Sequence, residues 1–593
     1  MTDKNELSAA MGALALKEAR IAHAQHRLGD ARRLFERAID IAPALQQARY
    51  LLGMLHADMG RFDRAASTFQ QTLALNDALP LVWRALAEAQ LQAGLFSSAV
   101  KSLEQAHRLL PRDAAILDRL GIALRDQGNA AGALEKFELA LALQPWNAQI
   151  LCNCANLQMR LDRVDEALGA YEKAVNLAEN DPAVRVVVLS NRARALAQTG
   201  KTRQALADCD AALALAPTAS GALMRRAEVL ADQGKLDLAI EACRVALGSA
   251  PVSADKLSVL ASLMLRDQRL AVDAEQTCVL SYTSMMASRF ASNPDGPATA
   301  AMRGQGIAKF KLKHDREQAE HLLTHGVPVP GAADFAATAR SLEMNESGDY
   351  AHPTEEQLQV MLPFLQAPWL HPAQGFAGPC LNPGNDWPAL EQAYLDGKPE
   401  LVSIDNFLAE PALQWFREFC LRSRVWQSEY KGKYLGAFAV NGFVSRVHLQ
   451  LADELRLAMP RIFGAHELMH LWAFKYDARL GTGINMHADF ALVNLNFWIT
   501  PDEYCLDADS GGMVVYDAPA PKDWSFHQYN SGGAVITQFL KDQGARPVTI
   551  PYRCNRAVLF NSALFHETDR ITFKDVYEGR RINMTYLFGR QLR

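Results

Sequence analysis

Gly483-Ile484-Asn485-Met486-His487-Ala488-Asp489-Phe490 is the stretch that decides how the C-terminal part of this chain is read. Its alternation predicts a β-strand, with Asn485, His487 and Asp489 on one face and Ile484, Met486, Ala488 and Phe490 on the other. An imidazole and a carboxylate then stand side by side. A second imidazole, His566, ends another apolar stretch that begins at Ala557. Two histidines and one carboxylate form a candidate metal-ligand set.

The flanking sequence reads as β-rich. Strand-like runs fall at residues 400–408, 434–443, 471–476, 492–499, 512–516, 534–539, 547–551, 557–561 and 581–588, with helical patterns at 411–423 and 448–458. Many short strands after two helices predict a jelly roll of cupin type over residues 398–593. Along its last run, Arg581, Asn583 and Thr585 share one face, and Ile582, Met584, Tyr586 and Phe588 the other. The polar face is expected to line a site and the apolar face to pack on helices.

Residues 10–284 are an internal repeat. Ala31, Ala65, Ala99, Ala133 and Ala167 are spaced by 34 residues; Ala205 follows after 38 and Ala239 after a further 34. Twelve residues beyond most of these stands a proline (Pro43, Pro111, Pro145, Pro217, Pro251), and five before many stands a glycine (Gly60, Gly94, Gly128, Gly200, Gly234). The four extra residues fall around Glu179-Asn180-Asp181-Pro182, an inter-repeat turn. This helix–turn–helix pattern resembles the tetratricopeptide repeat, in about seven to eight units. Single units cannot bury their apolar faces, so they stack into an all-α superhelix with a concave groove. The resemblance implies a protein or peptide bound in that groove; a dimerisation or spacing device is the alternative. From 285 to 397 the register is lost. Residues 302–326 read as helical, and the prolines from Pro328 to Pro388 predict a Pro-rich connector.

With 61 basic and 66 acidic residues the formal net charge is −5, which gives no sign of a nucleic-acid or anionic-membrane partner. The first residues lack a basic region followed by an apolar run, so no signal peptide is expected. No uncharged apolar run reaches the roughly 18 residues that span a bilayer. The nine cysteines are scattered, and Cys152 and Cys154, two apart on a helix, face different ways. Free, buried thiols in a reducing cytoplasm are expected.

The order His487-Ala488-Asp489, then His566, then Arg581 resembles the 2-oxoglutarate- and Fe(II)-dependent oxygenases, over residues 398–593. The resemblance implies a double-stranded β-helix with flanking helices. It implies that His487, Asp489 and His566 hold Fe(II), that 2-oxoglutarate and O₂ are consumed, and that ascorbate stimulates turnover. The far carboxylate of the co-substrate needs a fixed cation, and an arginine fork suits it. Arg580 competes with Arg581 for that task; alternation favours Arg581. The run Arg581-Ile582-Asn583-Met584-Thr585-Tyr586 is also similar to the last strand of AlkB-type oxygenases. Leu587 stands where that group has a second arginine, which argues against a nucleic-acid demethylase. Tyr476, eleven residues before His487, is a co-substrate candidate by resemblance, with a packed strand tyrosine as the alternative. Asn485 and Asn496 are polar strand residues able to hydrogen-bond within the site, and Asn496 is expected, with Arg581 and Tyr476, to contact the co-substrate.

His466-Glu467-Leu468-Met469-His470 matches the H-E-x-x-H motif of zinc peptidases, which needs a sustained helix. Gly464 before it and the strand-like 471–476 after it speak against that context. The expected function is hydroxylation of a protein or peptide recruited by the repeats. The alternatives are a repeat scaffold with an inactive jelly roll, a small-molecule hydroxylase and, more remotely, the zinc peptidase.

Overall fold

Seven alanines set the architecture of the first half. Ala31, Ala65, Ala99, Ala133, Ala167, Ala205 and Ala239 are fully buried, each in the second helix of a pair. The computed structural model describes residues 2–249, 252–289, 302, 306–345, 348–373, 376–430, 432–480 and 484–590. Among these, seven helix pairs run from α1 (Thr2–Ala24) and α2 (Leu28–Ile41) to α13 (Ser220–Asp232) and α14 (Leu236–Gly248). They form an N-terminal all-helical repeat superhelix. Phe35, Phe69, Phe137 and Tyr171, four residues after an alanine, are buried beside it. Close-packed helices leave no room for a larger residue at the alanine.

The turn inside most pairs rests on one left-handed residue. Gly60, Gly94, Gly128, Gly200 and Gly234 have φ between 71° and 94°. His26 and Asp162 take the same position in the first and fifth pairs, at φ 55° and 61°. A side chain is disfavoured there because its Cβ crowds the following carbonyl.

Contacts divide the chain into two compact units, one within Met1–Ala250, 287–306 and His352–Leu358, the other within Pro251–Met286, Ile307–Ala351 and Gln359–Arg593. Helices α15 (Ala254–Met264) and α16 (Ala271–Arg289) therefore lie mainly in the second unit. The helix expected within 302–326 is present as α17 (Lys309–Thr324), and the expected Pro-rich connector after it carries three more helices, α18 (Ala332–Asn345), α19 (Glu355–Gln366) and α20 (Trp387–Asp396). Most of its prolines sit between helices or, like Pro388, in a first turn, where a missing N–H costs nothing; Pro363 lies inside α19. Within 285–397, residues 290–301, 303–305, 346–347 and 374–375 lie outside the described residues.

The second unit mixes helices with antiparallel sheets. In chain order its strands are β1 (Ile307–Ala308), β2 (Tyr350–Ala351), β3 (Leu401–Ile404), β4 (Ser428–Tyr430), β5 (Tyr434–Phe438), β6 (Leu468–Tyr476) and β7 (Arg479–Leu480). Then come β8 (Ala491–Trp498), β9 (Met513–Pro519), β10 (Pro547–Ile550), β11 (Ala557–Asn561), β12 (Leu564–Thr568), β13 (Ile571–Thr572) and β14 (Ile582–Arg590). A seven-stranded sheet has the order β3-β11-β8-β14-β6-β5-β4, and a three-stranded sheet the order β10-β9-β12. Trp498, Val558 and Phe560 of the first share a core with Met513, Val515, Ile550 and Leu564 of the second. Helices α21 (Glu410–Arg422) and α22 (Arg446–Ala458) cover the other face of the larger sheet, where Phe416 lies 6.1 Å from Phe497 and the Tyr586 hydroxyl donates to the His448 carbonyl.

Two expected strands are not strands. Residues 534–539 lie within a helix, Gly533–Asp542, that buries Ile536 and Leu540. Its apolar residues fall four apart, a helical period that a short β-branched run disguised. Residues 484–490 have no ladder, and Gly483 lies outside the described residues. One isolated bridge joins His487 to His566, while the Ala488 N–H goes to the Tyr529 carbonyl and the Asp489 N–H to that of Ser562. The segment threads between several elements instead of pairing with one.

The turns yield a stability test. Asp162→Gly should raise stability by about 1 kcal/mol and Gly128→Ala should lower it by a similar amount. Urea midpoints of the helical transition, followed by circular dichroism, check both.

Candidate metal centre

The irregular segment before β8 and strand β12 bring two imidazoles together. His487 and His566 exchange backbone hydrogen bonds of 3.0 and 2.8 Å, and their ring centroids lie 4.3 Å apart. Each Nδ1 faces a backbone carbonyl two residues back: His487 that of Asn485 at 2.8 Å, His566 that of Leu564 at 3.0 Å. A carbonyl only accepts, so each Nδ1 carries the hydrogen and each Nε2 presents a lone pair. Those lone pairs converge on Asp489, at 4.0 Å from His487 and 3.5 Å from His566. Ligand atoms of the three residues all lie within 4.8 Å of one another, the one such His/Cys/Asp/Glu cluster among the described residues.

The electrostatics are those of a site that wants a cation. Burial pushes the Asp489 carboxyl up, against the pull of His487 and the Asn494 amide. Burial also holds His566 well below the ordinary imidazole range, with His487 adding to the effect. A divalent ion would favour the charged carboxylate and the neutral imidazoles at once. Two imidazoles, one carboxylate and open space beside them fit a first-row metal of the Fe(II) kind.

A chain of buried amides holds the carboxylate. Asn494 Nδ2 donates to Asp489 Oδ2 at 2.6 Å, and Asn496 Nδ2 donates to Asn494 Oδ1 at 2.6 Å. Asn496 Oδ1 accepts in turn from Asn583 Nδ2 at 2.8 Å and from the Thr585 hydroxyl at 2.7 Å. Asn496, expected as a co-substrate contact, thus spends its amide on this relay, though it also lines the cavity. Asn494, Asn583 and Thr585 escaped prediction as a network because their meeting depends on β8–β14 register, Asn496 opposite Thr585 and Asn494 opposite Leu587.

All of this opens into a cavity of about 520 Å³. Arg581 lines it and is 2 % exposed. Its Nε donates to the Gly511 carbonyl at 2.5 Å and Nη2 to that of Gly512 at 3.0 Å, while Nη1 has no hydrogen-bond partner among the described residues. Gly512 admits no side chain, since a Cβ would lie 1.8 Å from the Ile550 carbonyl oxygen. The guanidinium sits 4.9 Å from the Tyr476 ring and 5.4 Å from Trp498. Tyr476 also lines the cavity, with its hydroxyl 3.5 Å from that of Thr568. Arg580 points elsewhere, to Glu317 of α17 at 2.6 Å.

The H-E-x-x-H stretch makes no metal site. His466 precedes β6 and His470 lies within it, so no helix turn brings the two together. His470 packs 5.0 Å from the Phe490 ring, and burial holds it down at about 4. All nine cysteines are free. Among the described residues no helix is long and apolar enough to cross a membrane.

Known proteins resemble the chain over its repeats. Two tetratricopeptide-repeat family models match, one over residues 84–148 and 190–254, the other over 22–89 and 124–187. Tetratricopeptide repeats are therefore present in the first unit. Over 173 residues, 28% of this chain, the sequence is 25% identical to anaphase-promoting complex subunit cut9 of Schizosaccharomyces pombe; the chain spans 25% of that relative's length. Among solved structures, a tetratricopeptide repeat protein from Parabacteroides merdae is 15% identical with a TM-score of 0.39, over 43% of this chain and 98% of that one. The Cut9–Hcn1 hetero-tetramer of the anaphase-promoting complex is 16% identical with a TM-score of 0.33, over 40% of this chain and 48% of that one.

The amide relay predicts a metal-binding phenotype. Asn494→Leu should weaken Co(II) binding by about 10- to 100-fold, the usual cost of losing a partner that orients a ligand. Titration followed by cobalt visible absorbance measures it.

Proposed function

We propose that this chain joins a tetratricopeptide adapter to an Fe(II)- and 2-oxoglutarate-dependent oxygenase. The two halves rest on different observations. The adapter half is supported by the family matches, since stacked repeats present a surface on which protein partners dock. The catalytic half rests on one observation: His487, Asp489 and His566 converge in the same cavity as an unpartnered, buried Arg581 Nη1. Two antiparallel sheets meeting over a common core are compatible with the jelly roll of such enzymes.

The residues divide the work as follows. The two Nε2 lone pairs and the Asp489 carboxylate would hold the metal. Fe(II) and a 2-oxo acid would supply the O₂ activation that side chains lack. Arg581 Nη1 would donate to the far carboxylate of the co-substrate, while its other nitrogens stay on the Gly511 and Gly512 carbonyls. Tyr476 packs against the guanidinium and keeps it from swinging. The Asn494–Asn496 relay holds Asp489 Oδ2. A polypeptide recruited by the repeats is the substrate, and one of its C–H bonds is hydroxylated.

An adapter with an inactive second unit is the competing reading, and the matches to known proteins favour it, since they fall on the repeats. Succinate formation from 2-oxoglutarate with Fe(II), ascorbate and O₂ separates the two. The oxygenase predicts succinate from the wild type and none from His487→Ala. Arg581→Ala should weaken 2-oxoglutarate binding about a hundredfold, the worth of a charge-assisted contact. A wild type that binds neither iron nor 2-oxoglutarate would leave the adapter alone.

A further inference from the structure

Strands β4, β5 and β6 carry an aromatic surface that the metal chemistry does not use. Cross-strand register sets Tyr430 opposite Tyr434, Gly436 opposite Phe474 and Phe438 opposite Trp472. Side chains two apart share a face, so all five rings stand on the same side. Tyr430 and Tyr434 stack at 4.7 Å, Tyr434 meets Phe474 edge-on at 5.4 Å, and Phe438 lies 6.3 Å from Trp472. Gly436 is bare beneath them: a Cβ there would come within 3.0 to 3.2 Å of the Phe438, Tyr430 and Phe474 rings. The opposite face, with Leu435, Ala437, Leu471 and Ala473, is the buried one. An antiparallel sheet with one face in the core normally shows polar residues on the other. Here that open face holds five half-buried rings, and all five line the cavity of the candidate metal centre.

Charge narrows what they could hold. Among the described residues lining the cavity, Arg581 is the one Lys or Arg, and the carboxylates are Asp489 and Glu567. Aromatic rings also stack nucleobases, but nucleic-acid sites surround such rings with Lys and Arg for the phosphates. Among the described residues no Lys or Arg but Arg581 lines this cavity, and Lys433, in the turn between β4 and β5, faces Asp349 at 3.8 Å. Asn485 and Asn530 line the same cavity and bring amides of the kind that pair with a peptide backbone.

We infer that this cavity takes an uncharged polypeptide segment, docked by an aliphatic or aromatic side chain on the Tyr430–Tyr434–Phe438–Trp472–Phe474 platform. The proposal deepens the oxygenase reading, and rests on it, by naming what lies beside the metal.

Binding tests it without turnover. The full chain is titrated with acetylated, amidated heptapeptides that differ in a central Leu, Phe, Asp or Lys, and with an oligothymidylate of equal length. The Leu and Phe peptides should bind at least about tenfold more tightly than the Asp peptide and the oligonucleotide. In Trp472→Ala and Tyr434→Ala that preference should fall below about threefold, and Trp472→Phe should keep it. Circular dichroism melts verify that each variant folds. Tightest binding by the oligonucleotide or the Lys peptide, equal binding by all peptides, or no binding overturns the proposal. Cobalt titration of the same samples reads the metal site separately. Cobalt without peptide sinks the platform alone, and peptide without cobalt sinks the oxygenase reading.

Discussion

The reciprocal backbone pair between His487 and His566 is the interaction on which the candidate centre depends. It joins an irregular segment to strand β12, and so links the larger sheet's approach to the smaller sheet. Because each Nδ1 is occupied by a local carbonyl, neither imidazole can rotate to satisfy itself elsewhere. Both Nε2 atoms are therefore left facing a buried carboxylate at distances too long for a hydrogen bond. A protein keeps such a juxtaposition at a cost in desolvation, and a bound cation removes the cost.

The repeats depend on a different constraint, the closeness of helix crossings. An alanine at each crossing and an aromatic ring four residues later are local, periodic choices, and each neighbour repeats them. The array therefore tolerates variation wherever the period is respected. Even the left-handed turn survives with His26 and Asp162 in place of glycine, because six other pairs in register hold the geometry around any single strained turn.

This difference explains what could be read from sequence. The helix pairs were legible because their information lies within one period. Strands β8, β11 and β14 were legible within a residue or two because both of their faces have a consistent fate, core on one side and core or cavity on the other. The segment 484–490 alternates without pairing, because its residues alternate to suit several unlike neighbours. The stretch 534–539 reads as a strand from sequence because six residues, four of them β-prone, are too few to separate a period of two from one of 3.6. The amide relay was invisible for a third reason. Its members lie on two strands and in one loop, and only the register brings them into donor-to-acceptor order. Asparagines look alike in sequence wherever they stand.

Register also ties the core to the chemistry. Strand β14 runs between β6 and β8, so its position is set from both sides. Ile582, Met584 and Tyr586 are fully buried, with Tyr586 on the side of α22. That apolar set admits only one phase of the strand. The same phase turns Arg581, Asn583 and Thr585 into the cavity. A slip by one residue would bury the arginine among the helices and leave Asn496, which holds Asn494 on Asp489, without its two donors. The apolar face of one strand thus determines the geometry of a polar site that it never touches.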